Sequence, residues 1–233
     1  MPHTTSGYAI RTHGLVSSLL KHKVDVDTIL RYGYPLDRND FPEDRIKSIA
    51  TVDDVSYHFS HTERKDRSLI NYQEIYNFNS LEKYLRRSIS TMINYSTEFK
   101  PRIIHSASNF VVGIAGAKAA KELGIKSIYE IRGFWHLTQS TKRLGYENSD
   151  HYNLSEQLEI EAAKMSDHVF TITSALKEIL VEKGIEADKI TVLPNAVDPD
   201  KFRIMEKDES LEKRLDFKGK VVIGYIGSFV KYE

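Results

Sequence analysis

His168-Val169-Phe170-Thr171-Ile172-Thr173-Ser174 reads as a strand delivered straight into a helix start. β-branched and aromatic residues fill its core, as strands prefer. Thr173 or Ser174 then offers a side-chain oxygen that can cap a helix stopping at Gly184. Residues 190–193 supply the next strand, broken by Pro194. A strand, a helix of about ten residues and a second strand make one βαβ unit, whose strands lie parallel.

The same rhythm extends upstream. Residues 126–131 read as a strand, and residues 150–166 as a helix with Leu154, Leu158, Ala162 and Met165 on one side. Arg102-Ile103-Ile104-His105 reads as a short strand, and Ser108 is placed to cap a helix rich in alanine and valine that closes at Gly124. Residues 132–149 between them read as irregular. The expected fold is α/β: a Rossmann-like open parallel sheet with helices on both faces. In such sheets ligands gather at the carboxyl ends of the strands. The loops at 106–109, 132–135, 173–174 and 195–198 are therefore the ones to inspect.

The amino-terminal part is more broken. Residues 8–21 have helical spacing, with Ser6 or Gly7 as cap. Residues 24–29, 46–51 and 55–59 read as short strands, the last two around Asp53-Asp54. Residues 31–45 read as loop, and Asn79-Ser80-Leu81-Glu82 has the form of a capping box. His58 and His61 would point to opposite faces of a strand and read as surface histidines.

Composition removes whole classes of function. Thirty-three basic residues balance thirty-three acidic ones, which argues against a general nucleic-acid binder. With no cysteine there can be no disulfide, thiolate nucleophile or cysteine-held metal. No ligand set with metal-like spacing appears, so no metal is expected. Gly113-Ile114-Ala115-Gly116 falls inside a helix, where close packing explains it better than nucleotide binding. Apolar runs fall far short of the roughly 20 residues that span a bilayer. The start lacks the basic and apolar segments of a secretory signal. A cytoplasmic protein, with peripheral contact at the inner membrane face, is the expectation.

Two constellations carry chemistry. Tyr129-Glu130-Ile131-Arg132-Gly133-Phe134-Trp135-His136 puts opposite charges and the single tryptophan at a strand end. Either Glu130 and Arg132 pair to anchor the loop, or Arg132 faces a phosphate or sugar with its two-pronged donor. Ile104-His105-Ser106-Ala107-Ser108-Asn109 opens a helix whose free N–H groups could meet an anion; alternatively Ser108 only caps it. Gly7-Tyr8-Ala9-Ile10-Arg11 repeats the form of a glycine turn before a helix. Glu156 and Glu159 share a helix face, and for at least one of them a solvated face is the expectation.

With these pieces aligned, the chain resembles the retaining GT-B glycosyltransferases of family 4. The likeness is strongest in residues 158–174, in Lys189-Ile190-Thr191-Val192-Leu193-Pro194-Asn195-Ala196-Val197-Asp198-Pro199, and in Ile223-Gly224-Tyr225-Ile226-Gly227-Ser228-Phe229. The last tract is similar to the first strand and glycine loop of that family's donor-binding domain. The resemblance implies residues 1–198 as an acceptor-side domain lacking its first strand, 199–219 as connector and 220–233 as the opening of a second domain. The chain is thus expected to be an internal piece of a two-domain protein, inactive alone. It implies transfer of a sugar from a nucleotide-sugar donor to a carbohydrate or lipid-linked acceptor, in surface polysaccharide or glycoconjugate synthesis, with no cofactor. Gly7, Arg11, His105, Ser108, Arg132 and Asn195 would border the cleft, with Gly227 and Ser228 against donor phosphate. Ala107 stands where many relatives carry a second histidine, which leaves His105 and Ser108 as cleft residues without a catalytic role. Two alternatives stay open: a GT-B sugar-nucleotide epimerase, and a non-catalytic carbohydrate- or partner-binding module.

Overall fold

A computed structural model describes residue 2 and residues 5–36, 48–60 and 78–227. The chain divides into two compact units, Met1–Asn195 and Ala196–Glu233.

In the first unit, α1 (Gly7–Lys21) starts at Ser6, whose Oγ accepts from the Ala9 N–H at 3.2 Å. Three short strands follow: β1 (Thr28–Ile29), β2 (Ile49–Val52) and β3 (Val55–His58). They form one small sheet in the order β1-β3-β2, with β1 parallel and β2 antiparallel to β3. Asp53 and Asp54 both have positive φ, 43° and 66°, the backbone twist that a two-residue hairpin turn requires. The expected strand over residues 24–29 shrinks to Thr28–Ile29, because only those two residues find ladder partners in β3. Helix α2 (Phe78–Phe99) begins one residue before the expected capping box.

The rest of the unit alternates as the spacing demands: β4 (Ile103–Ala107), α3 (Phe110–Leu123), β5 (Lys126–Ile131), α4 (Trp135–Ser140), α5 (Asp150–Met165), β6 (His168–Thr171), α6 (Ser174–Glu182) and β7 (Ile190–Val192). All four strands are parallel, in the order β4-β5-β6-β7. This is the expected α/β, Rossmann-like open parallel sheet. The stretch read as irregular contains α4 and a 3-10 turn at Tyr146–Asn148.

Caps set the helix ends. Asn109, not Ser108, caps α3: its Oδ1 accepts from the Val111 N–H at 3.1 Å. The Ser108 hydroxyl is turned to β5 instead. Gly124 ends α3 in the left-handed region at φ 68°, and Thr173 caps α6. Helix α3 lies on β4 and β5 at its glycines. A Cβ on Gly113 would stand 2.6 Å from the Tyr129 ring, and one on Gly116 would stand 1.9 Å from Ser106 Oγ. Close approach is therefore what these glycines permit. The main core gathers Tyr129, Ile131, Val169, Leu180, Ile190 and Ala162 between sheet and helices. Each large aliphatic side chain so buried contributes about 1.5–3 kcal/mol.

His58 is not a surface histidine. It is mostly buried, edge-on to Phe99 at 4.9 Å and Tyr95 at 5.7 Å, with Asp27 Oδ1 3.5 Å away. Both rings belong to α2, a long amphipathic helix. His61 lies outside the described residues.

The second unit contains α7 (Glu209–Arg214), capped by Asp208, and no strand among its described residues. The expected strand from Val221 has no ladder, and Val221, Ile223 and Ile226 are exposed. Strand propensity alone cannot hold an extended chain; inter-strand hydrogen bonds do.

Candidate functional site

The carboxyl ends of β4, β5 and β7 converge on one carboxylate. Glu130, the penultimate residue of β5, is completely buried and carries three partners. Arg11 Nε donates to its Oε1 at 2.6 Å, Arg132 Nη2 donates to Oε2 at 2.8 Å, and His105 Nε2 stands 3.1 Å from Oε2. Burial alone would raise the Glu130 carboxyl. Hydrogen bonds from His105, Arg132 and Arg11, with the charge of Arg132, outweigh it and hold the group far below the usual carboxylate range.

Both guanidinium groups are nearly buried, with 9% and 5% of their side chains exposed. Arg11 reaches from α1 across to the end of the unit. Its Nη2 donates to Leu193 O at 2.7 Å, and its Nη1 donates to Pro194 O at 2.8 Å and Asn195 Oδ1 at 3.1 Å. Arg132 Nη1 donates to Tyr8 O at 2.9 Å and Thr12 Oγ1 at 2.7 Å, which ties the first turns of α1 to β5. Arg132 Nε is buried with no partner among the described residues.

Two consequences follow. First, the prongs of both arginines are spent on the protein, so neither offers a free paired fork to an oxyanion. Second, two cations meet one carboxylate, and two minus one leaves one positive charge in a nearly dry place. At an effective dielectric near 20, that charge acts on an anion ~6 Å away with about 3 kcal/mol. What such an arrangement can offer an anion is field and placement.

Ser108 is structural as well as central. Its N–H donates to Glu130 O at 2.9 Å, its Oγ–H to the same oxygen at 3.2 Å, and its Oγ accepts from the Arg132 N–H at 2.9 Å. His105 keeps a third of its side chain exposed and is the open member of the group. Gly7 begins α1, and a Cβ there would meet nothing within 4 Å. Arg11, His105, Ser108, Arg132 and Asn195 are thus brought together, with Gly7 at the head of the same helix. Gly227 belongs to the second unit, and Ser228 lies outside the described residues.

Three residues escaped the sequence reading. Glu130 looked like a loop anchor but is the hub; its signal was a charge at the end of a strand otherwise built for burial. Thr12 gave no signal at all. Glu159, one of two glutamates of which at least one was expected on a solvated face, is buried: its carboxylate accepts from the Tyr129 hydroxyl and, at 3.1 Å, from the Phe110 N–H at the start of α3. Glu156, on the same helix, is the more exposed one and pairs with Lys183 at 2.8 Å. His136 is buried beside Phe134 and Tyr152, and burial lowers its pKa against the opposing pull of Glu156.

The family model for Glycosyltransferase Family 4 matches residues 5–201. The chain belongs to glycosyltransferase family 4. Among solved structures, the lipopolysaccharide outer core galactosyltransferase WaaB is similar at 15% identity and a TM-score of 0.51, covering 82% of this chain and 43% of WaaB. The UDP-GlcNAc 2-epimerase from Neisseria meningitidis matches at 17% identity and a TM-score of 0.47, covering 81% of this chain and 43% of that one. The UDP-N-acetylglucosamine 2-epimerase from Rickettsia bellii matches at 17% identity and a TM-score of 0.47, covering 81% and 42%. The chain spans less than half the length of these relatives. No curated protein sequence matches significantly. Among the described residues, no group of three or more His, Asp or Glu is arranged to hold a metal ion, and no helix is long and apolar enough to cross a membrane.

Proposed function

We propose that this family 4 chain is the acceptor-side half of a glycosyltransferase, which moves a sugar from a nucleotide-sugar to a carbohydrate or lipid-linked acceptor with retained configuration. The observation that carries the reading is the surplus positive charge buried about Glu130 at the carboxyl ends of parallel strands. Sugar transfer from such a donor builds negative charge on the departing diphosphate. A fixed, poorly hydrated positive field stabilises that charge without reorganising during the reaction. Arg11 and Arg132 supply the field, His105 the open edge, and Gly7 an uncrowded helix start for close approach. Residues 1–198 form the acceptor-side domain, and residues 220–233, with Gly227 and Ser228, open the donor side. Production of a surface polysaccharide or glycoconjugate is the process this serves, from the cytoplasmic side of a membrane.

The test is to incubate the full-length protein with a panel of nucleotide-sugars and follow nucleoside diphosphate release. Release from at least one donor, accelerated by a carbohydrate or lipid-linked acceptor, is expected. Epimerisation of the donor without any acceptor would replace the reading with an epimerase. Absence of binding and turnover with every donor would end it.

A further inference from the structure

Arg11 and Glu130 stand 119 positions apart in sequence, yet their contact organises three separate segments. Glu130 fixes the Arg11 guanidinium from one side at 2.6 Å. On its other side Arg11 donates to two backbone carbonyls and one side-chain amide in residues 193–195. These are the last residues of the first unit. β7 ends at Val192, and among the described residues the Leu193 N–H to Thr171 O bond, at 2.7 Å, continues the ladder beyond it. Past that bond, Arg11 holds this segment through its three hydrogen bonds. Arg11 in turn is aimed by Glu130, because an unanchored guanidinium has many rotamers and would lose several of them to hold three acceptors at once.

We propose that Glu130 is a positioning residue: by aiming Arg11 it fixes residues 193–195 beside α1 and so sets Asn195 for substrate. The proposal deepens the glycosyl-transfer reading and rests on it for its kinetic consequence. Arg132 shares Glu130 but serves another end, clamping Tyr8 and Thr12 of α1. Only the Arg11 branch leads to Asn195. A displacement near 1 Å is enough to slow a positioned reaction by orders of magnitude.

The experiment compares full-length wild type with Glu130→Gln, Arg11→Met, Arg11→Lys and the Glu130→Gln/Arg11→Met double variant. Expected is a fall in kcat of about tenfold or more in each single variant, with KM for the nucleotide-sugar within about twofold. The double variant should fall no further than Arg11→Met, because one residue acts through the other. Arg11→Lys should stay defective, since one ammonium keeps the charge but cannot reach Glu130 and three acceptors together. Hydrogen exchange should quicken at residues 193–197 in Glu130→Gln and Arg11→Met alike. Multiplying losses in the double variant, full activity in Arg11→Lys, or unchanged exchange would overturn the proposal. If wild type turns over no nucleotide-sugar, the transfer reading falls, and the exchange measurement alone decides whether Glu130 positions the segment. If Glu130→Gln does not fold, Glu130→Asp takes its place: the shortened carboxylate keeps its charge but withdraws from Arg11, and the same losses are expected.

Discussion

Glu159 shows what burial does to a single carboxyl. It is 1% exposed, and burial pushes its pKa up to about 7 even though Tyr129 and the Phe110 N–H hydrogen-bond to it. An acid whose pKa rises on folding favours the protonated folded form. Its stabilising effect is therefore complete below the ordinary value of 4.5 and is lost as pH rises to about 7. The loss amounts to about 3 kcal/mol, from about 1.4 kcal/mol for each pKa unit. Glu159→Gln keeps the shape and an acceptor but cannot ionise. Urea unfolding at pH 5 and pH 8 should show wild type losing about 2–3 kcal/mol more than the variant across that interval. Equal losses in the two proteins would show that Glu159 does not titrate in this range. Glu130 is the counter-case: equally buried, yet surrounded by cations and held ionised. The two glutamates differ by their neighbours, which no local sequence window contains.

At the scale of elements, helix glycines separate crowded places from open ones. On α3, a Cβ at Gly113 would stand 2.6–2.9 Å from three atoms of the Tyr129 ring. That ring is fully buried and held through its hydroxyl by Glu159, so it cannot swing away. Overpacking costs ~3 kcal/mol at such a site, while alanine returns ~1 kcal/mol of helix propensity. Gly113→Ala should therefore destabilise by about 2 kcal/mol, a drop in Tm of roughly 4–8 °C. On α1, a Cβ at Gly14 meets nothing within 4 Å. Gly14→Ala should raise stability by about 0.5–1 kcal/mol. Paired calorimetric melts check both; shifts of the same sign would contradict the packing described. The role of Gly113 and Gly116 was legible in sequence, because glycines one turn apart in an alanine-rich helix signal close approach. The caps at Ser6 and Thr173 were legible as well, since capping is local chemistry. Asn109 was missed because Ser108 was read as the cap, and the pairing of Ser108 with β5, which leaves the cap to Asn109, is a tertiary contact.

At the scale of the molecule, charge and exposed apolar surface act together. Net charge is zero and the isoelectric point lies near pH 7.1. Repulsion between copies is then weakest near neutrality. The second unit exposes Phe202, Ile204 and Met205. Solubility should pass through a minimum near pH 7 and rise towards pH 5.5 and pH 9; light scattering across that range checks it, and a flat profile would show that charge does not control association. The order of strands and helices, the parallel sheet and the family were legible in the amino acids alone, because periodicity, caps and breakers are written locally. That Arg11 meets Glu130, that Glu159 is buried and His58 covered, and that residues 221–227 form no ladder emerged only on folding. The reason is physical: ion pairs, burial and strand pairing belong to neighbours distant along the chain, and a residue's type fixes what it can do but not whom it will face.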